Sequence, residues 1–127
     1  MKNFTMTETF LYDTYALIEL LNKNPNYEKY STKEIVINGF IFAEICYQLI
    51  KDNVKNLHEY LNEIEPAIIN PSPKMIIEAM KFRYENKKKK MSTTDCISYI
   101  MAKELEIKFL TGDKEFEHLE NVEFVKK

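Results

Sequence analysis

The chain has 127 residues, the usual size of one domain with a single core, and its 45% hydrophobic content excludes a mainly disordered polymer. A formal charge of -2 and a pI near 5.8 exclude global attraction to nucleic acid, so any such binding must come from local patches. In chain order, TETFLYD (7–13) reads as a first strand ending at Asp13, and TYALIELLNK after it places Leu17, Leu20 and Leu21 on one side of a helix. Pro25 interrupts, and EIVIN (34–38) is a short β-branched strand leading into GFIFAEICYQLIKDN (39–53), an apolar segment too long for a strand and so expected as a buried helix. In NVKNLHEYLNEIE (53–65), Val54, Leu57, Leu61 and Ile64 recur at three- and four-residue spacing, the mark of an amphipathic helix. PAIIN (66–70) fits a short strand. Pro71 and Pro73 open a helix through Met75, Ile76, Met80 and Tyr84 that ends in the run Lys87 to Lys90. STTDCISYIMAKELEI (92–107) is a helix capped by Ser92, Thr93 or Thr94, followed by the strand IKFLT (107–111), a short helix DKEFEHLE (113–120) and a last strand VEFV (122–125).

Strands alternating with helices, without internal repeat or low-complexity linker, predict one α/β domain over residues 1–127 with a parallel sheet and helices on both faces. Cys46 and Cys96 lie far apart without CxxC spacing, with only His58 and His118 as companions, so neither zinc nor a disulfide scaffold is expected and both Cys and His118 read as structural. MKNFTMTETF lacks the apolar core of a signal peptide, and no stretch approaches the ~18 apolar residues of a membrane helix. The expectation is a soluble, cytoplasmic protein with no membrane partner.

Sites in open sheets of this class form at the carboxyl ends of strands. Asp13 and Asp113 fall there. Only four of the 20 acidic residues are Asp, at positions 13, 52, 95 and 113, and three of those four start a predicted helix. Taken singly, each is explained by the preference of Asp for helix caps. Glu44 stands among apolar neighbours in FIFAEICYQL, and two explanations are open for it: a buried carboxylate in need of a partner, or a narrow solvent stripe continued by Gln48 and Lys51.

Together, Asp13 in FLYDTYALIELL, Glu44 in FIFAEICYQL, Asp95 in STTDCISYIMAKEL and Asp113 in KFLTGDKEF resemble, in order, spacing and context, the four acidic motifs of the PIN domain family. The resemblance covers nearly the whole chain and is greatest to small prokaryotic members such as the VapC toxin ribonucleases. It departs at Tyr15, where Asn or Ser commonly follows the Asp-Thr pair, which alters the hydrogen bonding around Asp13. The resemblance implies a three-layer α/β/α sandwich, an endoribonuclease hydrolysing RNA phosphodiesters at Asp13, Glu44, Asp95 and Asp113, and a 5′-phosphate product. It further implies Glu115 as accessory ligand, Thr111 as an orienting hydroxyl, a homodimer, and, in toxin members, an antitoxin whose Arg or Lys enters the acidic site.

A physical case for a metal stands beside the resemblance. Two ionised carboxylates ~4 Å apart repel by ~4 kcal/mol at an effective dielectric of ~20, whereas a cap contributes only ~1 kcal/mol. Converging acids therefore require a divalent cation or protonation, and oxygen-only ligation favours Mg²⁺ or Mn²⁺ over zinc. Two other classes compete: a PIN-like module that binds RNA or a protein without cleaving, which Tyr15 favours, and an α/β phosphatase or receiver domain. The latter is opposed by the missing second acid in Asp13-Thr14-Tyr15 and by the missing Lys after a late strand. KMIIEAMKFRYENKKKK offers a basic rim, although lysines at a helix end point all round and at most two would meet one RNA strand. The apolar faces Leu57, Tyr60, Leu61, Ile64 and Ile76, Ile77, Met80, Tyr84 are expected to exceed what the sheet covers and to supply the dimer interface.

Overall fold

Two short apolar runs form the middle of the sheet: β1, Thr9–Tyr12, pairs in parallel with β3, Lys108–Thr111. The computed structural model describes residues 8–126. Three residues of each run are buried, the continuous apolar pattern of a strand covered on both faces. The strand β2, Glu34–Val36, joins the other edge of β1, and β4, Val122–Phe124, joins β3, so the order is β2-β1-β3-β4 and every pairing is parallel. Thr7 and the rest of the amino-terminal segment read above lie outside the described residues.

Among the described residues, five α-helices connect the strands: α1, Thr14–Leu21; α2, Gly39–Lys51; α3, Leu57–Ile64; α4, Pro73–Glu85; and α5, Thr93–Glu104. α1 packs against α2, α4 against α5, and α5 against β1 and β3. The core gathers Leu11, Leu17, Ile41, Ile45, Leu49, Ile97, Met101 and Phe109 from these elements, with Phe116 from the segment between β3 and β4, all fully buried. Cys96 is buried with them, and Cys46 is half-buried, both as free thiols. None of the helices among the described residues is long and apolar enough to cross a membrane.

Several expected boundaries move, each for a local reason. α1 stops at Leu21 because Lys23 takes a left-handed φ of 59°, and a 3-10 helix, Pro25–Tyr30, follows to bury Tyr27 and Tyr30. Left-handed Asn53, φ 57°, ends α2 and delays α3 to Leu57. PAIIN is not a strand: Ile68 makes one parallel bridge to Ile37, while Asn38 leaves the sheet to cap α2 through Ile41 N–H. α5 ends at Glu104, before left-handed Glu106. DKEFEHLE shrinks to a 3-10 turn, Lys114–Phe116, anchored by the buried Phe116 ring. The apolar face of α3 is not surplus either, since Leu57, Tyr60 and Leu61 pack on the core. The large apolar residues left exposed include Phe40, Tyr47 and Ile50 on α2 and Ile77 and Tyr84 on α4.

Candidate functional site

The chain leaves β1 toward β2 on one side and leaves β3 toward β4 on the other, so a crevice opens between the carboxyl ends of β1 and β3. Asp13 follows β1 directly and Asp113 follows β3 by two residues. Asp13 is the N-cap of α1: its Oδ1 accepts from the Ala16 amide at 2.7 Å, and its Oδ2 accepts from the Thr111 hydroxyl at 2.5 Å. Thr111 is fully buried, and its Oγ1 also accepts from the Asp113 amide at 3.0 Å. One hydroxyl thus ties the two strand ends together.

A cavity of about 420 Å³ opens at this point, lined by Asp13, Glu44, Asp95 and Asp113 with Thr14, Tyr15, Gln48 and Ser92. Glu44 rises from the middle of α2 and is exposed, with Oε1 accepting from the Thr14 hydroxyl, so the solvent-stripe explanation describes it. Asp95 lies in the first turn of α5, and its amide donates to Oγ of Ser92, the N-cap. Asp95 is therefore placed by a cap rather than acting as one. Asp113 caps the 3-10 turn by accepting from the Glu115 amide at 2.9 Å.

Burial pushes the Asp13 carboxyl up to about 7; the Thr111 and Ala16 hydrogen bonds oppose this, and the charges of Asp95 and Asp113 add to it. The acids stand around the cavity wall, and among the described residues no three carboxylate, His or Cys side chains close onto one point. That spacing is what mutual repulsion favours. The donor set fits Mg²⁺ or Mn²⁺: every charged group lining the cavity is a carboxylate, and neither His nor Cys lines it. Both Asp13 oxygens keep acceptor capacity beyond their single hydrogen bonds.

Glu115 is not in this cavity. It lines an adjoining groove with Asp113 and Lys90. The lysine run is not the end of a helix, because α4 stops at Glu85, and Lys87 to Lys90 form the turn beyond it. Tyr15 lines the cavity and meets Tyr27 edge to face at 6.5 Å between ring centres. Thr14 and Gln48 line the cavity although the sequence marks neither as a site residue; the one available signal was position, with Thr14 next to Asp13 and Gln48 one turn after Glu44 in the solvent stripe.

The PIN domain family model matches residues 10–122. The chain belongs to the PIN domain family. PIN domains are generally nucleases and generally use divalent metal ions. No curated protein matches the sequence significantly. Among solved structures, this PIN domain is similar to a toxin-antitoxin complex from Klebsiella pneumoniae, with a TM-score of 0.76 and 19% identity over 90% of this chain and 95% of that one. It is also similar to VapBC2 from Rickettsia felis bound to a promoter DNA fragment, with a TM-score of 0.69 and 19% identity over 93% of this chain and 98% of that one. PAE2754 from Pyrobaculum aerophilum gives a TM-score of 0.69 and 17% identity, covering 94% and 92%. At these identities the likeness is one of fold, and it agrees with the α/β sandwich expected from the sequence.

Proposed function

We propose that this PIN domain is a metal-dependent endoribonuclease that hydrolyses RNA phosphodiester bonds, and that it serves as the toxin of a toxin-antitoxin pair. One observation carries the reading: a buried, doubly hydrogen-bonded Asp13 shares a cavity at the sheet crevice with Glu44, Asp95 and Asp113. Asp13, Asp95 and Asp113 would hold Mg²⁺ or Mn²⁺ with Glu44 at the mouth, and an ion so held polarises a phosphodiester and lowers the pKa of its bound water. The side chains supply orientation. Thr111 and the Ala16 amide fix the Asp13 carboxylate, Thr14 steadies Glu44, and Ser92 sets the first turn of α5 from which Asp95 projects. Asp13 gives up its proton when the site is loaded, so loading is favoured as pH rises toward and beyond about 7.

Purified protein with single-stranded RNA and Mg²⁺ or Mn²⁺ tests the reading. Expected are fragments with 5′-phosphate ends, and a loss of rate of about 10²–10³-fold in Asp95→Asn, the scale on which preorganised charge acts. Full activity in excess chelator, or in that variant, refutes it. A second reading, a module that binds RNA or protein without cleaving, draws on Tyr15 in the cavity wall. In that case the native protein binds RNA without cleaving it, and Tyr15→Asn, which installs the residue common at that place in the family, is expected to gain cleavage.

Partners follow from the same reading. A homodimer would use the exposed α4 residues Ile77 and Tyr84, and an antitoxin would cover exposed α2 residues beside Glu44, such as Tyr47. The toxin-antitoxin neighbours support an antitoxin partner. Light scattering at micromolar concentration tests the dimer, and a monomer mass there rejects it.

A further inference from the structure

Beside the carboxylate cavity, and sharing Asp113 with it, lies an open groove of about 500 Å³. Its walls carry Lys90, Lys114 and Lys126, with Glu115 and the half-buried ring of Phe124 among them. The three lysines come from separate parts of the chain: the turn after α4, the segment after β3 and the tail after β4. Lys33, Lys81, Lys103 and Lys108 are each paired with a glutamate. Among the described residues, no carboxylate comes within ion-pairing distance of the ammonium groups of Lys90, Lys114 or Lys126, and Phe124 stacks on no other ring. In a chain of net charge -2, the fold has gathered three unpaired cations at one edge of an acidic cavity.

The lysine run divides at this edge. Lys87 and Lys89 line a different hollow with Arg83 and Tyr84, Lys87 lying 4.4 Å from the centre of the Tyr84 ring. Lys90 belongs to the groove and stands two residues before Ser92 of the carboxylate cavity. Cations around one groove with an accessible aromatic ring edge are the elements that hold a single nucleic-acid strand, with ammonium groups on phosphates and a base against the ring.

We infer that this groove is the track for the flank of single-stranded RNA next to the phosphate presented to the carboxylates. The inference rests on the nuclease reading and adds direction to it, since the strand leaves the cavity past Asp113 toward Lys114, Phe124 and Lys126. Lys90 guards the junction. Glu115 repels phosphate and accepts instead from strand donors, a ribose 2′-hydroxyl or a base amine.

Binding of a short single-stranded oligoribonucleotide to the Asp95→Asn protein, followed by fluorescence anisotropy between about 50 and about 200 mM salt, tests this apart from cleavage. The triple variant Lys90→Ala, Lys114→Ala, Lys126→Ala is expected to bind more weakly, with a salt slope shallower by about 2, at about 0.7 per lost phosphate contact. Phe124→Leu is expected to weaken binding about tenfold with the slope unchanged. The control triple Lys87→Ala, Lys88→Ala, Lys89→Ala removes the same charge outside the groove and is expected to keep the slope. Equal effects of the two triples, an unchanged slope in the groove triple, or displacement of RNA by poly-glutamate at equal charge would overturn the inference. If groove-dependent binding is found but the native protein never cleaves RNA, the nuclease reading falls and the track stands. If the groove triple in the native background cleaves with unaltered KM, the track falls and the nuclease reading stands.

Discussion

Asp13 and Glu44 both present a carboxyl group to the same cavity, yet the protein treats them in opposite ways. Asp13 lies at the floor, 4% exposed, with both oxygens hydrogen-bonded by groups that are themselves buried. Glu44 stands at the rim on an exposed helical face and accepts from one surface hydroxyl. Desolvation therefore raises the proton affinity of the floor acid, whereas the rim acid keeps its contact with solvent. The contrast teaches that the floor is bound up with folding and that the rim is free to serve the site alone.

Replacing the floor acid gives the largest effect. Asp13→Ala is expected to abolish cleavage, by about 10²–10³-fold or more. It also strands the Thr111 hydroxyl and the Ala16 amide, lowering stability by about 1–3 kcal/mol in a chemical denaturation series. Glu44→Ala is expected to lose activity as well but to shift stability by less than about 0.5 kcal/mol. Equal stability costs in the two variants would break the comparison.

Thr111→Val comes next. It keeps the shape and removes the donor to Asp13, with an expected activity loss of about 10- to 100-fold, the range seen when a ligand loses its orienting partner. The pH-rate profile is expected to move upward, because the hydroxyl helps hold Asp13 ionised. An unmoved profile would reduce Thr111 to packing.

Stability against pH sharpens the contrast further. The Asp13 carboxyl rises from 3.8 to about 7 on folding, so the folded protein binds the proton more tightly than the unfolded chain. Without a divalent cation, the Asp13 contribution is fully present below the unfolded value and is lost as pH rises toward and through about 7, on the order of a few kcal/mol. Thermal melts in chelator are expected to show Tm falling over that window, and saturating Mg²⁺ or Mn²⁺ to flatten the fall. Asp13→Asn is expected to flatten it without a cation.

The smallest effects concern the outer surface. Tyr84→Asp, at a side chain 68% exposed, is expected to lower the mass seen by light scattering while leaving the melt within a few degrees. Leu57→Asp, on the packed face of α3, is expected to lower Tm whatever the mass does. If Leu57→Asp changed only the mass, α3 would be an interface helix after all.

The element order of the fold was legible because each strand and helix writes its period locally: the buried runs at Phe10 to Tyr12 and Phe109 to Thr111, and the spacing of Ile41, Ile45 and Leu49. Ends were less legible. Left-handed residues at Lys23, Asn53 and Glu106 stop or delay helices, and only Asn is a usual marker of that conformation. The 3-10 segment holding Tyr27 and Tyr30 has no period to read, and its burial comes from Tyr12 and Val125, whose neighbourhood is tertiary: the Tyr12 hydroxyl donates to the Tyr30 carbonyl and the Tyr27 hydroxyl to that of Val125.

By itself, the sequence determined the α/β class and the placing of Asp13 and Asp113 after strands, because short apolar runs, helical periodicity and helix capping are short-range properties of the chain. Only the tertiary structure decided that β1 and β3 are neighbours with connections departing in opposite directions. That choice brings Thr111 onto Asp13 across 98 residues, brings Glu44 to the rim from the middle of a helix, and puts Lys90, Lys114 and Lys126 around one groove. The physical reason is that strand order is fixed by the best joint burial of both sheet faces, a sum over long-range contacts, and no local stretch of sequence contains that sum.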